Sequence, residues 1–187
     1  KLSSKNSVTI TGNNGSGKST FIKVLANVIR PSAGSVEINE NNLSLPKEKW
    51  YQKTGLLSPY LNLYDELTGF ENLDFFLKLK TFQTDDKEAA EKVNSLLKEV
   101  NLFDKRNETV KNYSSGMKQR LKLAFAILND PEILFMDEPR SNLDQSGIDI
   151  MINVANRQKE KGILIIATND AEDKLICDEL INIEDYK

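Results

Sequence analysis

Gly12-Asn-Asn-Gly-Ser-Gly-Lys-Ser-Thr20 fits the phosphate-binding pattern G-x-x-x-x-G-K-[ST] at every required position. The glycines Gly12, Gly15 and Gly17 admit positive φ, so the N–H groups of a loop comprising Gly12, Asn13, Asn14, Gly15, Ser16, Gly17, Lys18, Ser19 and Thr20 can converge on phosphate oxygens. Lys18 adds a positive charge near the outer phosphates, and the Ser19 hydroxyl is suited to Mg²⁺. Val8-Thr-Ile-Thr11 before the loop reads as a buried strand, and Phe21, Ile22, Leu25 and Ile29 after it recur at helical spacing. Strand, loop and helix in that order aim a helix N-terminus at an anion, which makes a nucleoside triphosphate the first expectation.

Outward from the loop, Ser35-Val-Glu-Ile38 alternates like an edge strand after the turn Pro31-Ser-Ala-Gly34. From Leu63 to Lys111 the pattern becomes helical, with Phe70–Leu79 and the series Ala89, Val93, Leu96, Leu97 and Val100 both amphipathic. A third helix is expected from about Ser115 to Leu128. Glu132-Ile-Leu-Phe-Met-Asp137 is an apolar run ending in acid, as in a central parallel strand. A helix from about Gly147 to Lys161, a strand at Ile163–Ala167 and a last strand at Leu180–Ile183 complete an α/β fold. The expected architecture is a mostly parallel sheet flanked by helices, with a small helical subdomain and an edge β-element.

Composition narrows the classes. With 187 residues, 39% hydrophobic and 28% charged, the chain suits one sizeable core. No run approaches the roughly 18 apolar residues needed to span a bilayer. A net charge of −3 argues against nucleic acid as partner, and Lys118, Arg120 and Lys122 are too local to make a basic track. The single cysteine, Cys177, excludes an internal disulfide and fits a reducing compartment. There is no histidine for proton transfer or metal binding.

Three further motifs qualify the loop. The strand ending Asp137-Glu138-Pro139 delivers adjacent carboxylates: Asp137 is placed to hold Mg²⁺ and Glu138 to orient or deprotonate water. Tyr113-Ser-Ser-Gly-Met-Lys-Gln-Arg120 resembles the signature sequence of ATP-binding cassette (ABC) proteins, LSGGQ followed by a basic stretch. Ser114 and Gly116 match it, whereas Tyr113, Ser115 and Met117 depart from it. Ser141-Asn142-Leu143-Asp144 is similar to that family's D-loop.

The resemblance implies a P-loop NTPase fold with a core of about 1–62 and 129–187 and a helical subdomain of about 63–128, compact as in exporter-type subunits, in one domain whose N-terminus is expected to be truncated. It implies ATP and Mg²⁺ as cofactors and a homodimer or paralogue dimer. In that dimer Ser114, Ser115, Gly116 and Met117 complete the partner's ATP site, and the D-loop lies at the interface. It also implies a separate transmembrane subunit and a cytoplasmic position at the inner face of the membrane. Phe70, Leu73, Phe76 and Leu77 read either as core or as a groove for that subunit.

Two positions break the pattern. Ser58 stands where the family has a glutamine that contacts Mg²⁺, and Asn169 stands where it has a histidine bonding the γ-phosphate. An amide can donate one hydrogen bond but cannot carry charge or shuttle a proton. With Glu138, Lys18 and Asn169 as catalytic residues, the resemblance implies a slow ATPase that drives transport. A non-transport ABC ATPase and an ATP-gated regulatory cassette acting on a soluble partner remain the alternatives.

Overall fold

The computed structural model describes residues 1–40, 42–80 and 85–186. In chain order the elements are β1 (Ser7–Thr11), α1 (Lys18–Leu25), β2 (Asn39–Glu40), β3 (Leu43–Ser44), α2 (Trp50–Lys53), β4 (Thr54–Leu57) and α3 (Gly69–Lys80). They continue through α4 (Asp86–Glu99), α5 (Ser115–Ile127), β5 (Ile133–Asp137), α6 (Gln145–Lys161), β6 (Ile163–Ala167) and β7 (Glu179–Asn182). The stretch 81–84 of the expected helical subdomain lies outside the described residues.

β1, β5 and β6 are near-continuous β-branched and apolar runs, as strands covered on both faces require. They form the centre of a parallel five-stranded sheet in the order β4-β5-β6-β1-β7. Alternate residues feed two cores. Leu134, Met136, Leu164 and Ile166 face the helices α3 to α6, while Phe135, Ile165 and Ile10 pack with Ile22 of α1 on the opposite face. Register fixes what matters for a site: Ile10 and Asp137 both pair with Ala167, so the loops after β1, β5 and β6 leave the sheet at one level. That carboxyl edge is where open α/β sheets bind ligands.

The helices α3 to α6 begin on side-chain caps. Asp85 accepts from Lys87 N at the start of α4, Ser114 from Met117 N at α5 and Asp144 from Gly147 N at α6. At α3, Thr68 and Glu71 cap each other reciprocally, with Thr68 N donating to Glu71 at 2.8 Å and Glu71 N to Thr68 at 3.1 Å. Fully buried Asn72 exchanges hydrogen bonds with both backbone groups of Tyr64 and donates to Thr68 O, which fixes the loop entering α3.

Two expectations are corrected, and one open choice is decided for the core. The helix after the phosphate loop stops at Leu25, because Asn27 takes a left-handed φ of 59° that ends it; Phe21 and Ile29 are exposed, Ile22 is core and Leu25 packs against that core. Ser35–Ile38 forms no strand; the edge element is the antiparallel β2–β3 pair, turned with Asn42 at φ 65°. On α3, Leu73 and Leu77 are core, and Phe70 and Phe76 pack against that core rather than opening a groove. The exposed aromatics near this helix are instead Tyr64 and Phe75, with Leu79 on the same helix, while exposed Tyr60 lies against Lys23 of α1. Among the described residues no helix is long and apolar enough to cross a membrane.

Candidate functional site

The phosphate loop is built from backbone. Gly12, Gly15 and Gly17 hold φ of 147°, 78° and 105°. A Cβ on Gly12 would lie 2.7 Å from Ser16 Oγ and 2.8 Å from Ile183 Cγ2, so this position excludes a side chain on two grounds. Gly17 hands the chain directly to α1, whose first residues are Lys18, Ser19 and Thr20. Lys18 is buried, and its Nζ donates to Gly12 O at 2.8 Å and Asn13 O at 3.3 Å, folding the ammonium over the loop. Ser16 Oγ is buried without a partner. Exposed Asn13 is tied to Glu184, whose carboxylate accepts from the Asn13 side-chain amide at 3.1 Å and from its N–H at 3.4 Å.

Across the sheet edge, Ser19 Oγ donates to Asp137 Oδ1 at 2.9 Å. The other oxygen, Oδ2, is buried with no hydrogen-bond partner. Burial pushes the Asp137 carboxyl above the ordinary range, opposed by the Ser19 hydroxyl and the charges of Lys23 and Lys18. A hydroxyl, a carboxylate and an unsatisfied carboxylate oxygen are the hard donors that Mg²⁺ takes, so the residues present fit that ion. Among the described residues no group of three or more His, Cys, Asp or Glu is gathered for a metal. Mg²⁺ ordinarily takes one or two protein ligands and fills its remaining positions with water and substrate phosphates.

Glu138 follows in a left-handed conformation, φ 47°, which directs the chain sharply away from β5. Its N–H donates to Ala167 O at 2.8 Å, and the Asn169 N–H beside its half-buried carboxylate favours the ionised form. Burial raises the Glu138 pKa, countered by Lys18 and helped by Asp137. A carboxylate whose pKa is raised by burial, with a backbone donor beside it, is suited to taking a proton from water. Asn169 is exposed, and its Nδ2 donates to Asn14 Oδ1 at 2.7 Å, joining the loop after β6 to the phosphate loop.

Thus Lys18, Ser19, Asp137, Glu138, Asn169 and Asn14 are brought to one edge. Ser58 leaves β4 at the same end of the sheet but is buried, and its hydroxyl accepts from Tyr60 N at 3.4 Å within its own turn. Ser114 and Ser115 are exposed at the start of α5. Tyr113 instead anchors the segment from inside: it is buried, its hydroxyl donates to Lys105 O at 2.7 Å, and it fills the space above Gly69. A Cβ on Gly116 would lie 3.1 Å from Asn142 O, so the signature turn and the segment Ser141–Asp144 pack together. Of that segment, Asn142 is exposed at φ 63°, Leu143 packs on the core and Asp144 caps α6.

Sequence reasoning passed over Arg140, Thr168, Asp173 and Glu184. Arg140 meets Asp173, Asp170 and Glu172 in one cluster. The available signals were an arginine immediately after Glu-Pro and three acids within four residues after Asn169.

A parallel sheet with a phosphate loop at its carboxyl edge and a serine–aspartate pair beside it defines a nucleotide-binding α/β domain. The model of the ABC transporter family matches residues 1–141, and the chain belongs to that family. It is 31% identical over 172 residues to ABC transporter A family member 8 of Arabidopsis thaliana, a match covering 90% of this chain and 19% of that protein. It is 36% identical over 138 residues to the daunorubicin resistance ATP-binding protein DrrA3 of Streptomyces coeruleorubidus, covering 74% of this chain and 43% of the other. With methionine import ATP-binding protein MetN 1 of Enterococcus faecalis identity is 36% over 182 residues, covering 94% and 51%. The chain therefore spans between about a fifth and about half of these relatives. A dimeric structure of the ATP-binding cassette MJ0796 in a post-hydrolysis state bound to ADP and Pi superposes with a TM-score of 0.86 at 23% identity, over 97% of this chain and 82% of that one. At that identity the likeness is one of fold.

Proposed function

We propose that this chain is the ATP-binding and ATP-hydrolysing part of an ABC transporter, closing as a homodimer or paralogue dimer around two ATP molecules to drive a separate membrane subunit. The observation that carries the reading is the convergence at one sheet edge of the phosphate loop, the Ser19–Asp137 pair with its unsatisfied Oδ2, and Glu138 held by the Asn169 N–H. The loop residues 12–20 bind the phosphates through backbone N–H groups, and Lys18 swings from the Gly12 and Asn13 carbonyls to the outer phosphates. Ser19 and Asp137 hold Mg²⁺, which when bound neutralises charge on the phosphate oxygens. Glu138 orients the attacking water and takes its proton. Asn169, released from Asn14, donates its amide to the γ-phosphate.

Ser114, Ser115, Gly116 and Met117 are exposed or half-exposed at a helix N-terminus, and they serve the ATP held by the opposite copy. Ser141 to Asp144, packed on Gly116, line the seam between copies. In this reading the exposed aromatics Tyr60, Tyr64 and Phe75 offer the membrane subunit an apolar contact, with the chain at the cytoplasmic face of the membrane.

Steady-state phosphate release from the purified protein with Mg²⁺ and ATP tests the reading. Turnover should exceed that of Glu138→Gln, and Glu138→Gln should accumulate an ATP-dependent dimer in light scattering. Release no faster than the Glu138→Gln background sinks the hydrolytic reading. A specific observation supports the alternative of an ATP-gated regulatory cassette: the chain holds no histidine, and the residue beside Glu138 is an amide. ATP-dependent dimerisation without turnover would select it.

A further inference from the structure

Two residues beyond Glu138, the Arg140 side chain is only 16% exposed and is surrounded by carboxylates from the loop after β6. Its Nε faces Asp173 Oδ1 and lies 3.6 Å from Asp170 Oδ1, and its Nη1 lies 2.8 Å from Glu172 Oε2. Asp173 has no exposed side-chain surface, and its second oxygen accepts from Thr168 Oγ1 at 3.3 Å. Thr168 Oγ1 also accepts from Asp170 N at 3.0 Å, and Asp170 Oδ1 accepts from Glu172 N and Asp173 N at 2.8 and 3.2 Å. Residues 168–173 are therefore a closed turn whose three acids share one guanidinium.

The turn encloses Asn169, whose N–H supports the Glu138 carboxylate. A ring results: Glu138 continues to Arg140, Arg140 grips Asp173, the turn of Asp173 carries Asn169, and Asn169 returns to Glu138. Without the arginine, Asp173 is a buried charge lacking its counter-ion and the three acids repel, a combination that opens a turn rather than leaving it in place. The ring meets the phosphate loop through the Asn169–Asn14 bond and the charge of Lys18 on Glu138, while the loop's own backbone is held by its glycines and by Lys18.

We infer that Arg140 is a positioning residue that holds the Asn169 N–H on Glu138 through Asp173, setting the rate of hydrolysis and leaving nucleotide affinity unchanged. This rests on the hydrolytic reading of the site. A displacement of about 1 Å at such a pair can cost about 10²-fold in rate.

The test is kcat and KM for Mg²⁺-ATP in wild type, Arg140→Ala, Arg140→Lys and Asp173→Asn, with fluorescent-nucleotide affinity measured in each. Arg140→Ala should lower kcat by about 10- to 100-fold with KM and affinity within about threefold. Arg140→Lys should recover part of the loss, since an ammonium can serve Asp173 but not Glu172 at the same time. Asp173→Asn should reproduce the defect, and the Arg140→Ala/Asp173→Asn pair should be no worse than either alone. Unchanged kcat, or a raised KM at unchanged kcat, overturns the inference.

If Arg140→Ala does not fold, Arg140→Lys and Arg140→Gln carry the same comparison. If wild type proves inactive, the hydrolytic reading has failed by itself, and backbone hydrogen exchange then decides the ring. Faster exchange confined to residues 168–174 in Arg140→Lys or Arg140→Gln supports it, and unchanged exchange there refutes it.

Discussion

The loop after β1 and the loops after β5 and β6 meet at one edge of the sheet, yet they are built by different means. The first is backbone: glycines at positive φ, an ammonium folded onto two carbonyls and the start of α1. The other two are side chains: a carboxylate on a left-handed residue, an amide and a buried ionic cluster. Backbone cradles are specified by a short local pattern and bind any phosphate chain. Side-chain constellations assembled from distant loops set rate, and each member depends on others far away in sequence. Binding and chemistry can therefore fail separately.

The largest expected separation comes from Glu138→Gln, which should reduce phosphate release by about 10²- to 10⁴-fold in a steady-state assay while ATP affinity by fluorescence titration stays near wild type. A comparable loss of affinity would merge the two halves. Lys18→Ala should do the opposite and weaken ATP binding by about 10- to 100-fold, the value of a charge-assisted contact. Unaltered affinity would mean that the ammonium keeps its hold on the Gly12 and Asn13 carbonyls and never reaches the nucleotide.

A gain is expected from Asn169→His, about tenfold in turnover, because an imidazole keeps a donor and adds charge. If release is unchanged or slower, the amide is not what limits the rate. The smallest expected effect concerns pH. Burial raises the Glu138 pKa, and only its ionised form accepts a proton, so activity is lost as pH falls through that raised value. The acid limb of kcat should accordingly lie above the ordinary range of a glutamate. A limb at or below that range would show that a different group limits the reaction.

How much of this was legible follows from the same contrast. β1, β5, β6 and α3 to α6 are announced by apolar runs or helical spacing, and their observed bounds lie within three residues of expectation. The glycine loop needed no tertiary information. Where local patterns misled, tertiary packing or turn chemistry prevailed: Phe21 and Ile29 fit a helical stripe, but Phe21 lies on an exposed side of α1, and Asn27 ends the helix before Ile29. The alternation Ser35–Ile38 finds no partner strand, and pairing starts one residue later. At the site, Ser19 and Asp137 were linked by their motifs, and the structure sets them 2.9 Å apart. The Arg140–Asp173 contact was not legible, since it joins residues 33 apart whose charges look like solvated surface in the sequence. The Glu184–Asn13 contact joins residues 171 apart and is hidden in the same way.

The left-handed φ of Glu138 carries a consequence for how this chain tolerates change. A side chain there works against its own backbone, and Pro139 further restricts the conformations open to the residue before it. Glycine would relieve that strain while removing the carboxylate, so selection for robustness alone would drift toward an inert protein. On the hydrolytic reading, the glutamate marks a point where durability was given up for turnover.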